Sequence, residues 1–352
     1  MLDYGIYWDC NLHCSYCRKV PIRSANPSLA RNSIDRYIRG LERTALHVDA
    51  VLFKTSGWGE VTLVHDYLEL FRAARRLGYQ ENQLITNGTN VRKEQLVSLQ
   101  NLGHFSLQVS LDGVGLAENV HRFPPLEAAC LVRVWETVET ALSMGIPVEL
   151  NSVLTETSTS RIQSLLERLL ALRERYLTQV VCLPRRVRVK STLGNRLHLP
   201  SYRAAEEFEK VVCESYDKYE PVLPPLAYLE GVVSHLRDGY RSWTAYDTLT
   251  RVNIGAAGQV VLHTKDGNVD LGSVFDDDKG EAAFLRRENM HSALGDANYQ
   301  DKLTQFDIHS LFIGGQITIE EIARLPSCSS QLAQARLQRL RRAVADARVC
   351  AS

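Results

Sequence analysis

The stretch 4-YGIYWDCNLHCSYCRKV-20 decides how the rest of the chain is read. Its opening run, Tyr4–Trp8, is apolar and aromatic, which suits a β-strand. It stops at three cysteines, Cys10, Cys14 and Cys17, in the pattern C-x3-C-x2-C. A structural zinc site wants four ligands, commonly two C-x2-C knuckles or a Cys/His set. No second knuckle follows, and His13 is cramped against its neighbour Cys14. Three unbound structural thiols would be the other plain reading. A [4Fe–4S] cube takes four ligands, generally thiolates, so three protein thiolates leave one iron open to a substrate or cosubstrate.

Composition narrows the classes. The chain has 352 residues, enough for one large domain and a smaller one. Lysine plus arginine numbers 41, as does aspartate plus glutamate, so the formal net charge is zero. Nucleic-acid binders usually show a basic excess, so nucleic acid is not expected as a partner. No run of eighteen apolar residues and no opening signal stretch is present, which points to the cytoplasm and away from membranes. In a reducing compartment, clustered cysteines more often serve metal or catalysis than disulfides.

From residue 4 to about 184, short apolar runs alternate with longer helical stretches. The runs are Tyr4–Trp8, Ala50–Thr55, Gln83–Thr86, Phe105–Leu111, Val148–Val153 and Gln179–Leu183. The helical stretches include Ser33–His47, Val64–Leu77, Val91–Leu102, Leu126–Met144 and Thr159–Leu177. This rhythm predicts βαβ units on a parallel sheet, an α/β fold that six units would close into an open, partial barrel. Residues 252–275 read as a β-hairpin with Asp266–Gly267 at its turn, and 281–352 reads as helical.

"CNLHCSYC" resembles the radical S-adenosylmethionine (SAM) signature, C-x3-C-x-aromatic-C, with Tyr16 as the aromatic. The resemblance implies a partial (β/α)6 barrel with a [4Fe–4S] cluster on Cys10, Cys14 and Cys17. It implies SAM at the open iron, cleaved reductively to a 5′-deoxyadenosyl radical that takes hydrogen from a substrate. "TSGWGE" after the second run is similar to the family's SAM-amine stretch, implying SAM contacts at Gly57, Trp58, Gly59 and Glu60, beside Tyr16 of the cysteine loop. Trp58 intrudes between the glycines, and Val61 replaces a proline. "TNG" after the third run implies that Thr86 and Asn87 line the barrel mouth. "SLDG" after the fourth, with an arginine further on, implies Ser110, Asp112 and Arg122 near SAM, the guanidinium on its carboxylate. Asn151 would meet the ribose, and Val181 and Leu183 the adenine.

The second half resembles members with a SPASM/twitch extension. The implied division is a barrel over 1–190, a helical connector over 191–250, and a smaller α+β hairpin-and-helix region over 251–352. His263 stands where an auxiliary-cluster cysteine is expected, and Cys328 and Cys350 are isolated, so that cluster is read as lost. Cys182 alternates against Val181 and Leu183; were its face the lumen, its thiol could donate hydrogen to a substrate radical. Arg186, Arg188 and Lys190 in "PRRVRVK" form a basic face suited to an anionic substrate.

Three functions stay open. The first is modification of a ribosomally made precursor peptide by crosslinking, epimerisation or excision. The first strand begins by residue 4, so a separate leader-binding partner is expected for it. The second is a small-molecule dehydrogenase or epimerase acting on a sugar or aminoglycoside. The third is a non-catalytic metal-binding interaction protein. Either enzyme would need an external electron donor of flavodoxin or ferredoxin type.

Overall fold

Six short strands lie side by side in parallel: β1 (Leu2–Tyr4), β2 (Leu52–Thr55), β3 (Glu81–Thr86), β4 (His104–Ser110), β5 (Val148–Leu154) and β6 (Val180–Arg186). Three more extend the same sheet beyond β1: β7 (Arg251–Ile254), β8 (Gln259–Thr264) and β9 (Gly267–Ser273). The order is β6-β5-β4-β3-β2-β1-β7-β8-β9. This computed structural model describes residues 2–5, 9–17, 33–45, 52–55, 59–123, 128–186, 199–224, 229, 232–233, 236, 251–255, 259–264 and 267–273.

Side-chain alternation gives the sheet two different faces. On β4, Phe105, Leu107 and Val109 are buried; on β5, Val148, Leu150 and Leu154 are. This face is covered by helices α1 (Ile34–Ala45), α2 (Tyr67–Arg76), α3 (Lys93–Gln100), α4 (Ala128–Ser143) and α6 (Ile162–Tyr176), with the short α5 (Glu156–Ser160) before α6. Buried residues recur at helical spacing, as in Leu165, Leu166, Leu169 and Leu172 of α6. Edge-to-face aromatics tie sheet to helix: Phe71 of α2 lies 5.5 Å from Phe53 and 6.5 Å from Phe105.

The opposite face is polar. Lys54, Gln83 and Ser106 share one register row, and Gln108 and Glu149 the next. Gln83 Nε2 donates to Ser106 Oγ at 3.2 Å, and Gln108 Nε2 to Glu149 Oε2 at 2.8 Å. Such a face suits a wet lumen.

The expected barrel strands and helices are present, with shifted ends. The first strand begins at Leu2 and is described to Tyr4, residues 6–8 of the expected run lying outside the described residues, and β6 runs on to Arg186. The stretch read as one helix from Thr159 is two, α5 and α6, because Thr155 caps a separate start and accepts the Ser158 N–H. The expected hairpin is three strands. β8 and β9 are antiparallel, but β7 joins β1 in parallel, so these strands continue the barrel sheet. Helices α7 (Tyr202–Glu214) and α8 (Tyr216–Tyr219) follow the barrel. The expected helices beyond residue 281 lie outside the described residues.

Candidate functional site

The C-terminal ends of the parallel strands meet at one edge, where parallel α/β folds place ligands. The loop after β1 brings Cys10, Cys14 and Cys17 there, all half-buried, with Asn11, His13 and Ser15 exposed between them. Cys17 N–H closes a turn on Cys14 C=O at 2.9 Å. Cys10 Sγ faces two donors, Leu12 N–H at 3.4 Å and Asn87 Nδ2 at 3.8 Å. Burial pushes the Cys14 thiol up to about 11, while the Arg122 charge pulls it down. A ligating thiol must lose its proton, so metal would release protons on binding.

Glu60 anchors this loop from below. It is 1% exposed, and its N–H donates to Asp9 C=O at 2.8 Å. Its Oε1 accepts Thr62 N–H at 3.2 Å, Thr62 Oγ at 2.6 Å and Thr86 Oγ at 2.7 Å; its Oε2 accepts Asn87 N–H at 2.6 Å. Burial raises the carboxyl above its usual range, and these hydrogen bonds work against that rise. Thus Glu60 joins the ends of β2 and β3 through its own chain. Asn87 carries the link onward: its Nδ2 donates to Asn11 Oδ1 at 2.8 Å, and its Oδ1 accepts Thr89 N–H at 3.0 Å. Gly88 beside it has φ +77°, and a Cβ there would meet Val109 and Val134 at 3.1 and 3.2 Å.

Asp112 anchors the loop from the β4 side. It is fully buried. Its Oδ1 accepts Val153 N–H at 2.9 Å; its Oδ2 accepts the Tyr16 hydroxyl and lies 2.9 Å from Arg122 Nε. The Arg122 Nε–H is not aimed along a hydrogen-bond direction, so that contact is an ion pair at close range. The guanidinium sits 5.4 Å over the Tyr16 ring. Burial works against its charge, but Asp112, Tyr16 and Cys14 together more than restore it. Gly113 is required here, since a Cβ would lie 2.4 Å from Glu118 Cβ.

The remaining expected residues divide by face and level. Ser110, Asn151 and Leu183 share one register row across β4, β5 and β6, all on the polar face, with Val181 one pleat below. Asn151 Oδ1 is buried with no hydrogen-bond partner, a vacancy suited to a ligand donor. Leu183 and Val181 line a cavity of about 1020 Å³ that also reaches Ser106 and Glu149 and opens at the N-terminal ends of β3–β6. That mouth is the end opposite the cysteines.

Cys182 pairs with Leu150 and is fully buried in the apolar cluster under the helices. Its face is therefore not the lumen, and the condition for a hydrogen-donor role is not met; burial pushes its thiol up to about 12. Gly59 is described, but Gly57 and Trp58 lie outside the described residues, as do Arg188, Lys190 and the Arg186 side chain. Of His263 only the strand position on β8, opposite Arg251, is described.

Sequence reading missed Asp9, Asn11, Thr89, Ser15 and His121. Ser15 N–H donates to His121 C=O at 2.9 Å, and Ser15 Oγ lies 3.0 Å from His121 Nδ1. Only Thr89 carried a signal, because an asparagine two residues before it invites an Asx turn.

These residues fit a [4Fe–4S] cluster. Its donors are thiolates on one loop with N–H groups near a sulfur, and a cube binds each cysteine at a separate iron.

Comparison with known proteins agrees. The radical SAM superfamily model matches residues 6–169. Sporulation killing factor maturation protein SkfB of Bacillus subtilis (strain 168) is 27% identical over 158 residues, covering 45% of this chain and 36% of that protein. A probable GTP 3′,8-cyclase of Saccharolobus islandicus is 27% identical over 159 residues, covering 45% of this chain and 49% of its own. The matched region thus spans less than half the length of either relative. Among solved structures, native anSMEcpe with bound AdoMet and Cp18Cys peptide matches with a TM-score of 0.58 at 16% identity, covering 82% of this chain and 81% of that one. Streptococcus suis SuiB bound to S-adenosylmethionine matches at 0.56 and 16% identity, covering 79% and 64%. Enzymes of this superfamily use a [4Fe–4S] cluster and SAM, and residues 6–169 of this chain, with the cysteine loop on the end of β1, match the radical SAM domain.

Proposed function

We propose that the chain modifies a ribosomally made precursor peptide by crosslinking, epimerisation or backbone excision. The observation that carries this reading is the 27% identity over 158 residues to a sporulation killing factor maturation protein. The likeness to SuiB bound to precursor peptide SuiA, with a TM-score of 0.52, supports only the fold. Bound together, cluster and SAM supply a 5′-deoxyadenosyl radical that takes hydrogen from an unactivated C–H bond.

The protein's own residues hold and orient. Cys10, Cys14 and Cys17 hold the cluster, and Glu60 and Asn87 fix their loop to β2 and β3. Ser110, Asn151 and Leu183 form the row facing SAM, with Arg122 toward its carboxylate. Below them, Gln83, Gln108 and Glu149 offer amide and carboxylate groups that match a peptide backbone. Arg186, Arg188 and Lys190 would meet acidic residues of the substrate. A small leader-binding protein and a flavodoxin- or ferredoxin-like donor complete the system. The setting is the cytoplasm, where thiolate ligands stay reduced. Among the described residues, no helix is long and apolar enough to cross a membrane.

The second reading is a small-molecule substrate, supported by the similarity to probable GTP 3′,8-cyclases. One assay separates the two. Reconstituted, reduced enzyme is given SAM with either a precursor peptide encoded beside its gene, GTP, or an aminoglycoside. Substrate-stimulated 5′-deoxyadenosine and a mass change on the peptide alone support peptide modification. Stimulation by GTP or the aminoglycoside alone overturns it.

A further inference from the structure

The signature asks only for an aromatic ring before its last cysteine, yet here that ring bears a hydroxyl, and the hydroxyl is engaged. Tyr16 donates to Asp112 Oδ2, the same oxygen that pairs with Arg122 Nε at 2.9 Å. Asp112 and Arg122 are 0% and 7% exposed. Asp112 cannot turn away, since Val153 N–H holds its other oxygen at 2.9 Å and Asn119 Oδ1 accepts its own N–H at 2.9 Å. Arg122 is held in turn, with its guanidinium 5.4 Å over the Tyr16 ring. Cluster loop, β4 end, β5 and arginine therefore meet at one carboxylate.

We propose that the Tyr16 hydroxyl is a positioning group which, through Asp112, locks the cluster loop and Arg122 into one unit, so that cluster retention and SAM affinity are set together. The chemistry supports this. A hydrogen bond to a buried carboxylate is strong, and losing it leaves Asp112 with one acceptor site unfilled beside Arg122. The Arg122 contact to Asp112 then carries more of the compensation, and the guanidinium shifts from the place where a SAM carboxylate would meet it. A ring alone, as in phenylalanine, would keep the stacking and lose the lock. The proposal rests on a cluster at Cys10, Cys14 and Cys17. Wild-type protein that fails to bind iron would sink that assignment, which is a different result from the outcomes below.

The experiment is a double-mutant cycle on reconstituted holoenzyme, with Tyr16→Phe, Asp112→Asn and both together. Three quantities are read: release of iron to a ferrous chelator, the dissociation constant for SAM, and the midpoint potential of the cluster. Tyr16→Phe is expected to hold full iron, release it about tenfold faster, bind SAM about tenfold more weakly and shift the midpoint potential. The double variant should be no worse than Asp112→Asn alone, because both changes break one lock. Should Asp112→Asn fail to fold, Asp112→Glu, which displaces the carboxylate, takes its place, and adding Tyr16→Phe to it should change iron release and SAM affinity less than Tyr16→Phe does alone. Wild-type iron release and SAM affinity in Tyr16→Phe would overturn the proposal. So would fully additive losses in the double variant, which would mean that the hydroxyl and the carboxylate act separately.

Discussion

At the scale of single residues, the buried acids of this site act first on their own chain. Glu60 is expected from the signature to serve SAM, but its two oxygens accept four hydrogen bonds from Thr62, Thr86 and Asn87. Replacing Glu60 with glutamine would set an amide donor against one of those donors. We expect Glu60→Gln to lower stability by about 2 kcal/mol in urea unfolding and to weaken iron retention through the Asp9 contact. Cys182 gives a pH prediction. Its thiol is raised from 9.0 to about 12 by burial, so the fold favours the neutral form. A group raised in this way contributes stability in full below its unfolded value and loses it as pH climbs toward the folded value. Relative to Cys182→Val, the wild type should therefore lose melting temperature from about pH 9 upward and match it below. Cys182 should also resist alkylation until the protein unfolds. Rapid alkylation in the folded state would place the thiol in an open site.

At the scale of elements, β7 is the unexpected part. It pairs in parallel with β1, the strand that delivers the cysteine loop, and Gly5 N–H donates to Ile254 C=O at 2.6 Å. Ile254 is fully buried. Truncating it to alanine should cost about 2–5 kcal/mol, within the usual range for a large apolar side chain removed from a core. Because β1 is only three residues long and held between β2 and β7, the loss should reach the cluster. We expect Ile254→Ala to reduce both the unfolding midpoint and the iron bound after reconstitution. A variant destabilised by that amount with full iron and unchanged release would show that β7 does not support the loop.

At the scale of the whole molecule, two predictions concern cluster and substrate. Changing Cys10, Cys14 and Cys17 together to alanine should abolish the visible absorption of reconstituted protein. A full cluster in that variant would mean a second site elsewhere in the chain. Net charge is zero overall, yet four cations fall within residues 185–190 of the sequence. Arg186→Glu with Arg188→Glu should weaken precursor-peptide binding and flatten its salt dependence, while 5′-deoxyadenosine formed without substrate stays the same. Equal affinity at low and high salt in both proteins would return these residues to a solvated surface.

The local signals determined a good deal by themselves. The resemblance carried by Cys10, Cys14 and Cys17 implied the chemistry, since ligands within one loop are contiguous in sequence. The alternation of strands with helices identified the parallel barrel, because burial on one face imposes period two on strands and three to four on helices. Tertiary structure decided what depends on distant partners. Whether Cys182 faced the lumen turned on which side of the sheet the helices cover, and alternation alone cannot name that side. That Tyr16 of the first loop meets Asp112 and Arg122 of the fourth could not be read from any window of sequence. The joining of β7 to β1 bridges some 250 residues. A carboxylate such as Glu60 or Asp112 shows only its charge in sequence; its hydrogen-bond partners are chosen when the strand ends come together, because a buried charge must be satisfied by whatever donors the fold brings to it.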